Sequence, residues 1–218
     1  MKVVCGQGVG RERVIHTMGN SQAVWNHEKD QADKIARRLI ETKRVELGWR
    51  ALFLPFLLMD YIPFRRSLSL TKKNLLFTKR LAFDAAYEIF RGKDRLLEIG
   101  AIDAKTKEIL GKESKGFYTE KVRRKQLHEI QLLIDHYHQL ISSNGNSYSG
   151  MIQAAYGCKE KYLSFLNRLH KVEQEVIQAA ITTMGKGSKK DRVGWFKKVR
   201  ETSWKVRMEE FEKIFSDK

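Results

Sequence analysis

Residues 127–138, LHEIQLLIDHYH, hold the densest group of side chains able to ligate a metal or move a proton: His128, Glu129, Asp135, His136 and His138. On a helix His128 and Asp135 are seven apart and Asp135 and His138 three apart, so these three share a face. Imidazole and carboxylate at such steps can converge on one ion inside a helical bundle. A di-iron centre asks for more, namely a Glu-x-x-His on each of two helices and a further Glu from each of two others. The chain offers one Asp-x-x-His, and its only counterpart is His170 with Glu173, in reversed order. The expectation is therefore polar-face residues beside an Ile130, Ile134, Tyr137 stripe, with no metal and no other cofactor.

Nucleophilic chemistry has less support. Cys158 falls on an apolar helical stripe, where a small buried thiol is expected, and no histidine is close in sequence to activate it. Cys5 lies near Arg11, Arg13 and His16, but a thiol on a loosely held terminus is poorly positioned for catalysis. Two distant cysteines also give no disulfide framework, which fits a reducing compartment. The glycines at 6, 8 and 10 spell GxGxG, not the GxGxxG of a dinucleotide turn, and no ribose-binding acid follows in context. No catalytic residue is assigned, and the expected class is a non-enzymatic protein with no evident small-molecule substrate.

The elements that would carry these residues are helical. The only prolines, Pro55 and Pro63, fall in one stretch, which leaves the rest free of the strongest helix breaker. Ala32, Ile35, Ala36, Leu39 and Ile40 recur at three- and four-residue steps and predict an amphipathic helix from Gln22 to about Gly48. Leu76, Phe83, Tyr87 and Phe90 predict a second over 67–90, ended by Gly92, with Lys72, Lys73, Lys79 and Arg80 outside the stripe. Residues 94–111 suggest two short helical turns interrupted at Gly100. Val122, Ile130, Leu133, Ile134, Tyr137 and Ile141 mark a helix over 117–141, and SSNGNSYSG at 142–150 is a polar turn. A returning helix runs from 148 to 184 on a stripe that includes Met151, Cys158, Tyr162, Phe165, Leu169, Val172 and Val176. Trp204, Met208, Phe211 and Phe215 mark a last one.

Together these predict an all-α chain, an antiparallel bundle of four or five helices with a basic C-terminal amphipathic helix. The expected division is an N-terminal segment 1–21, disordered and without an export signal, a bundle domain 22–184, and a flexible basic joint with the last helix, 185–218. Met18 is a second candidate for the initiating residue.

Charge indicates the class of partner. Lys and Arg number 42 against 26 Asp and Glu, a formal net charge of +16, which calls for an anionic partner. Two basic blocks stand out: Arg65, Arg66, Lys72, Lys73, Lys79 and Arg80 with no acid over 61–83, and a second holding Lys189, Lys190, Lys197, Lys198 and Arg200. Before the first lies WRALFLPFLLMDYIPFRR, residues 49–66. Its apolar part is shorter than the ~20 residues a helical span requires and is interrupted by Asp60 and both prolines. Trp49, Tyr61 and Phe64 near its ends suit a headgroup boundary, with Leu52, Phe53, Phe56 and Leu57 between them and basic residues on both sides. Apolar insertion next to cationic attraction suits peripheral binding to an anionic membrane, at its cytoplasmic face. A buried crossover between bundle helices has the same composition.

Nucleic acid is the rival partner. Trp195, Phe196 and Trp204 interleave with Lys197, Lys198, Arg200, Lys205 and Arg207, so rings could stack on bases while cations follow phosphates. An acidic protein docked on the basic surface is the third expectation.

Overall fold

The computed structural model describes residues 8–41, 64–112, 118–183 and 189–216, with side chains described over a slightly narrower set. Among them are seven helices and no strand: α1 (Gly8–Glu41), α2 (Phe64–Phe90), α3 (Arg95–Lys112), α4 (Glu120–Ile141), α5 (Tyr148–Tyr156), α6 (Lys159–Thr183) and α7 (Lys189–Ser216). The all-α expectation holds for the described residues.

The stripe predicted over 117–141 makes α4 the central helix. Val122, Ile130, Leu133, Ile134, Tyr137 and Ile141 are all buried, and α4 packs against α1, α2, α3, α5 and α6. Its start is fixed by Thr119, whose side chain accepts the Val122 N–H, and Ser142 follows its last turn. The partner stripe on α6, Tyr162, Phe165, Leu169, Val172 and Val176, is also buried. Helices α4 and α6 pack against each other.

Two elements differ from expectation. The returning helix is not continuous: Gly157 adopts φ +72°, a left-handed turn that ends α5, and α6 restarts at Lys159. The apolar period continues across this break, which hides it in the sequence. In contrast, 94–111 is one helix rather than two turns, since Gly100 sits on an exposed face where its missing side chain costs little packing. Asp94 starts α3 by accepting the Leu96 and Leu97 N–H groups at 2.8 and 3.0 Å. Arg123, itself buried on α4, joins it to α3 through Asp103 while also pairing with Glu120.

Helices α1 and α7 are tied in as well. Helix α1 begins at Gly8, so the segment 1–21, expected to be disordered, has helical backbone from residue 8 onward. Asn20 is buried and donates to the Ser143 carbonyl at 2.8 Å, just beyond the end of α4. Residues 189–192, expected in a joint, form the first turn of α7. Phe211 and Ile214 of α7 lie in the main core, and Trp195, Val199 and Val206 pack with Ile35 and Leu39 of α1. Arg38 pairs with Glu209 through two bonds, at 2.9 and 2.7 Å, and Gln153 donates to the Ile214 carbonyl at 2.9 Å. The last helix is thus docked on α1, α5 and α6. Among the described residues no helix is long and apolar enough to cross a membrane.

Candidate functional site

A bundle interior made only of Leu, Ile and Val would need no charge, yet this one holds several. Glu28 on α1 pairs with Lys79 on α2 and accepts the Tyr137 hydroxyl of α4 at 2.8 Å. Arg207 on α7 donates to Glu173 on α6 at 2.6 Å. Glu129 on α4 lies beside these pairs, largely enclosed by protein, and lines the same cavity as Lys79, Glu173 and Arg207. Buried charges are costly unless paired, so such a cluster marks either a registry device or a site.

The environment separates these carboxyls. Burial acts to raise the pKa of Glu28, but Lys79 and His27, with the hydrogen bonds from Lys79 and Tyr137, outweigh it and hold it at about 2. Burial likewise raises Glu173, and Arg207 overcomes it, leaving the carboxyl below its ordinary value. For Glu129 burial and the neighbouring Glu173 act together against Lys79 and Arg207, and its pKa is pushed up to about 8. Among the described residues no donor forms a hydrogen bond to Glu129. Nearby, burial pushes His136 down to about 3, so it is neutral; its Nδ1 shares a hydrogen bond with the Tyr156 hydroxyl at 2.7 Å, and its ring stacks on Phe165.

The cavity has a volume of about 390 Å³ and is partly open. Its walls are Ile35 of α1, Leu75 of α2, Val122 of α4, Val176 of α6 and Val199 of α7. Glu129, Glu173, Arg207 and Lys79 lie at one end. Tyr118 and Ala180 pack with Val122 and Val176 in a separate apolar cluster along the cavity, and Phe196 and Lys73 also line it. From Val122 to Glu129 the α4 wall spans roughly 10 Å at the rise of a helix. A concave, mainly apolar space with a few convergent polar groups, within the roughly 300–1,000 Å³ usual for ligand pockets, is suited to binding.

The residues singled out in the sequence are distributed differently. His128 is exposed, Asp135 pairs with Arg95 at 2.8 Å, and the His138 ring rests near Phe90, so the shared face does not gather around one point. Among the described residues no three His, Cys, Asp or Glu side chains are arranged to hold a metal ion. Cys158 is half-buried rather than sealed, and it sits at the break between α5 and α6. Of the first basic block, Lys72 pairs with Asp33 at 2.7 Å and Arg80 with Asp84 at 2.9 Å while lying over the Trp25 ring. Lys79, expected outside the stripe, faces inward because Glu28 takes its charge. Lys197 approaches Glu201 at 3.9 Å. Lys73, Lys198 and Arg200 have no carboxylate partner among the described residues. Trp49, Leu52, Phe53, Phe56, Leu57 and Tyr61 lie outside the described residues. For Phe64, Arg65 and Arg66 at the start of α2, and Lys189 and Lys190 at the start of α7, only the helical backbone is described. Of the rings expected to meet bases, Phe196 is 1% and Trp195 7% exposed, while Trp204 is half-buried and packs on His170.

The site residues missed in the sequence are Glu28, Glu129 and Arg207 in their interior roles. One signal was available. Lys79 falls at three and four residues from Leu76 and Phe83, and Arg207 at three and four from Trp204 and Phe211, so both are in phase with apolar stripes.

Comparison with protein-family models, with curated proteins and with solved structures gives no match for this chain.

Proposed function

We propose that the protein is a non-enzymatic helical protein that associates peripherally with an anionic membrane surface, using the apolar segment 49–66 and neighbouring basic residues. The observation that carries this reading is the position of the uncommitted cations. Lys73 and Arg200 lack carboxylate partners among the described residues and both border the cavity, and Lys73 is on the part of α2 that follows the apolar segment directly. Charges free of internal partners are the ones able to meet lipid phosphates, and such attraction adds to apolar insertion. Burial of Trp195 and Phe196 removes two of the three ring faces that a nucleic-acid partner would use, so the membrane reading is preferred.

The test is co-sedimentation with neutral and anionic liposomes over a salt series, beside a nucleic-acid gel shift. Binding to anionic liposomes is expected to fall with salt, and K73E with R200E is expected to weaken it at least tenfold. Phe56→Ser with Leu57→Ser is expected to weaken liposome binding while leaving the melting temperature nearly unchanged, because an exposed side chain moved into lipid contributes about 1.5–3 kcal/mol to binding and little to folding. A sharp fall in melting temperature with unchanged lipid binding would show that the segment is core. Tight binding to nucleic acid and none to liposomes would replace the reading altogether.

A further inference from the structure

We infer that the cavity between α1, α2, α4, α6 and α7 binds a cationic amphiphile, its apolar body against the aliphatic walls and its protonated amine against the Glu129 carboxyl. This goes beyond membrane association and does not depend on it.

Charge counting at the polar end selects the ligand class. Glu28 is matched by Lys79 and Glu173 by Arg207, one acid to one base in each pair. Glu129 is the acid left over, and no donor among the described residues reaches it. A ligand carboxylate placed there would add a further anion to a set whose cations are already used. A hydroxyl would give a hydrogen bond and no charge. An ammonium group supplies both donors and the missing positive charge, in surroundings where a close pair is screened far less than at the surface. Lys73 and Arg200 could hold an anionic head instead, but Lys73 is exposed and water weakens its pull. The aliphatic side chains that line the cavity from several helices, Ile35, Leu75, Val122, Val176 and Val199, favour a hydrocarbon body over a polyamine.

The side chains facing Glu129 are Lys79 from α2, Glu173 from α6 and Arg207 from α7, with Glu28 of α1 behind Lys79. Burial and Glu173 keep the carboxyl largely protonated below about pH 8, so an amine must bind with release of that proton. Affinity for the amine therefore rises with pH across that range, until the amine itself loses its charge.

Isothermal titration of the full chain with octylamine, octan-1-ol and octanoate, below their aggregation limits, tests this. At pH 8, octylamine is expected to bind with one-to-one stoichiometry at least tenfold more tightly than octan-1-ol, with octanoate weakest. Its advantage is expected to grow from pH 6 to pH 9. Glu129→Gln is expected to remove the advantage and the pH dependence while octan-1-ol binding stays the same. Ile177 of α6 also lines the cavity, and Ile177→Trp, which fills it, is expected to abolish binding of both, with circular dichroism reporting whether each variant folds. Equal affinity for the amine and the alcohol overturns the assignment, as does an amine advantage that survives Glu129→Gln. Preference for octanoate would place the reading charge on Lys73 and Arg200. Failure of all three probes to bind the wild-type chain would mean that the cavity takes no outside ligand.

Discussion

Without Glu28, Lys79 would leave a bare ammonium group in the interior. Removing one member of a buried pair costs about 3–5 kcal/mol, so Glu28→Gln is expected to lower the unfolding free energy by about that amount, measurable by urea titration. Adding Lys79→Met removes the stranded charge, and most of the loss is expected to return. The two unusual carboxyls give opposite pH effects. Glu28, held at about 2, contributes stability that is complete above the unfolded carboxylate range and is lost as pH falls from about 4 towards 2. Glu129, raised to about 8, keeps its proton in the folded state and loses it in the unfolded state, so stability declines as pH rises from about 4 to 8. The difference in urea midpoint between wild type and Glu129→Gln, followed from pH 4 to pH 9, isolates that effect and should widen in favour of the variant. The apolar members of this interior were legible in the sequence, because their period alone assigns them. The charged ones were not: the partners of Lys79 and Arg207 lie 51 and 34 residues away, and local pattern carries no record of who meets whom.

Helix α4 was the most legible element, since five faces of packing demanded a nearly continuous apolar stripe. The turn after it was legible as a turn, though not in its tightness. A Cβ on Gly145 would come within 2.1 Å of the Met151 nitrogen, where backbone from the start of α5 crosses it. Gly145→Ala is therefore expected to destabilise by at least about 1–3 kcal/mol, the usual range for overpacking, with the loss read by thermal melting. Gly157 was less legible. A single glycine inside an apolar period is compatible with an unbroken helix, and only its left-handed φ separates α5 from α6. The same ambiguity acted the other way in α3, where an exposed Gly100 interrupts nothing. Glycine position does not distinguish the two cases; the backbone φ at each glycine does.

At the scale of the molecule, α7 determines whether the bundle closes. Phe211 and Ile214 belong to the main core, and Arg207 neutralises Glu173 inside it. Deleting 185–218, which the sequence marks off from the bundle domain 22–184, is expected to unmask that core and leave Glu173 unpaired. Loss of the cooperative thermal transition in the truncated chain is the expected result, and a folded truncated bundle would show that the helix is dispensable. The all-α class was readable because the long segments repeat near 3.6 residues and strand alternation is hardly evident. The docking of α7 was not, because a basic helix with a narrow apolar stripe looks the same whether its cations face water or carboxylates.

The two interior ion pairs also act as axial pins. Rows of Ala, Val, Ile and Leu on neighbouring helices can interlock in several ways, since a slide of one turn, roughly 5.4 Å, exchanges one aliphatic contact for another of similar worth. Glu28 with Lys79 and Glu173 with Arg207 cannot slide without each stranding a charge. Sequential helices α1 and α2, and α6 and α7, are thereby each held at a single axial offset. In the paired variant Glu28→Gln with Lys79→Met, stability returns while that constraint is gone. Its methyl NMR resonances are expected to broaden or multiply where those of the wild-type chain are single and sharp, the mark of a bundle that has kept its free energy and lost its alignment.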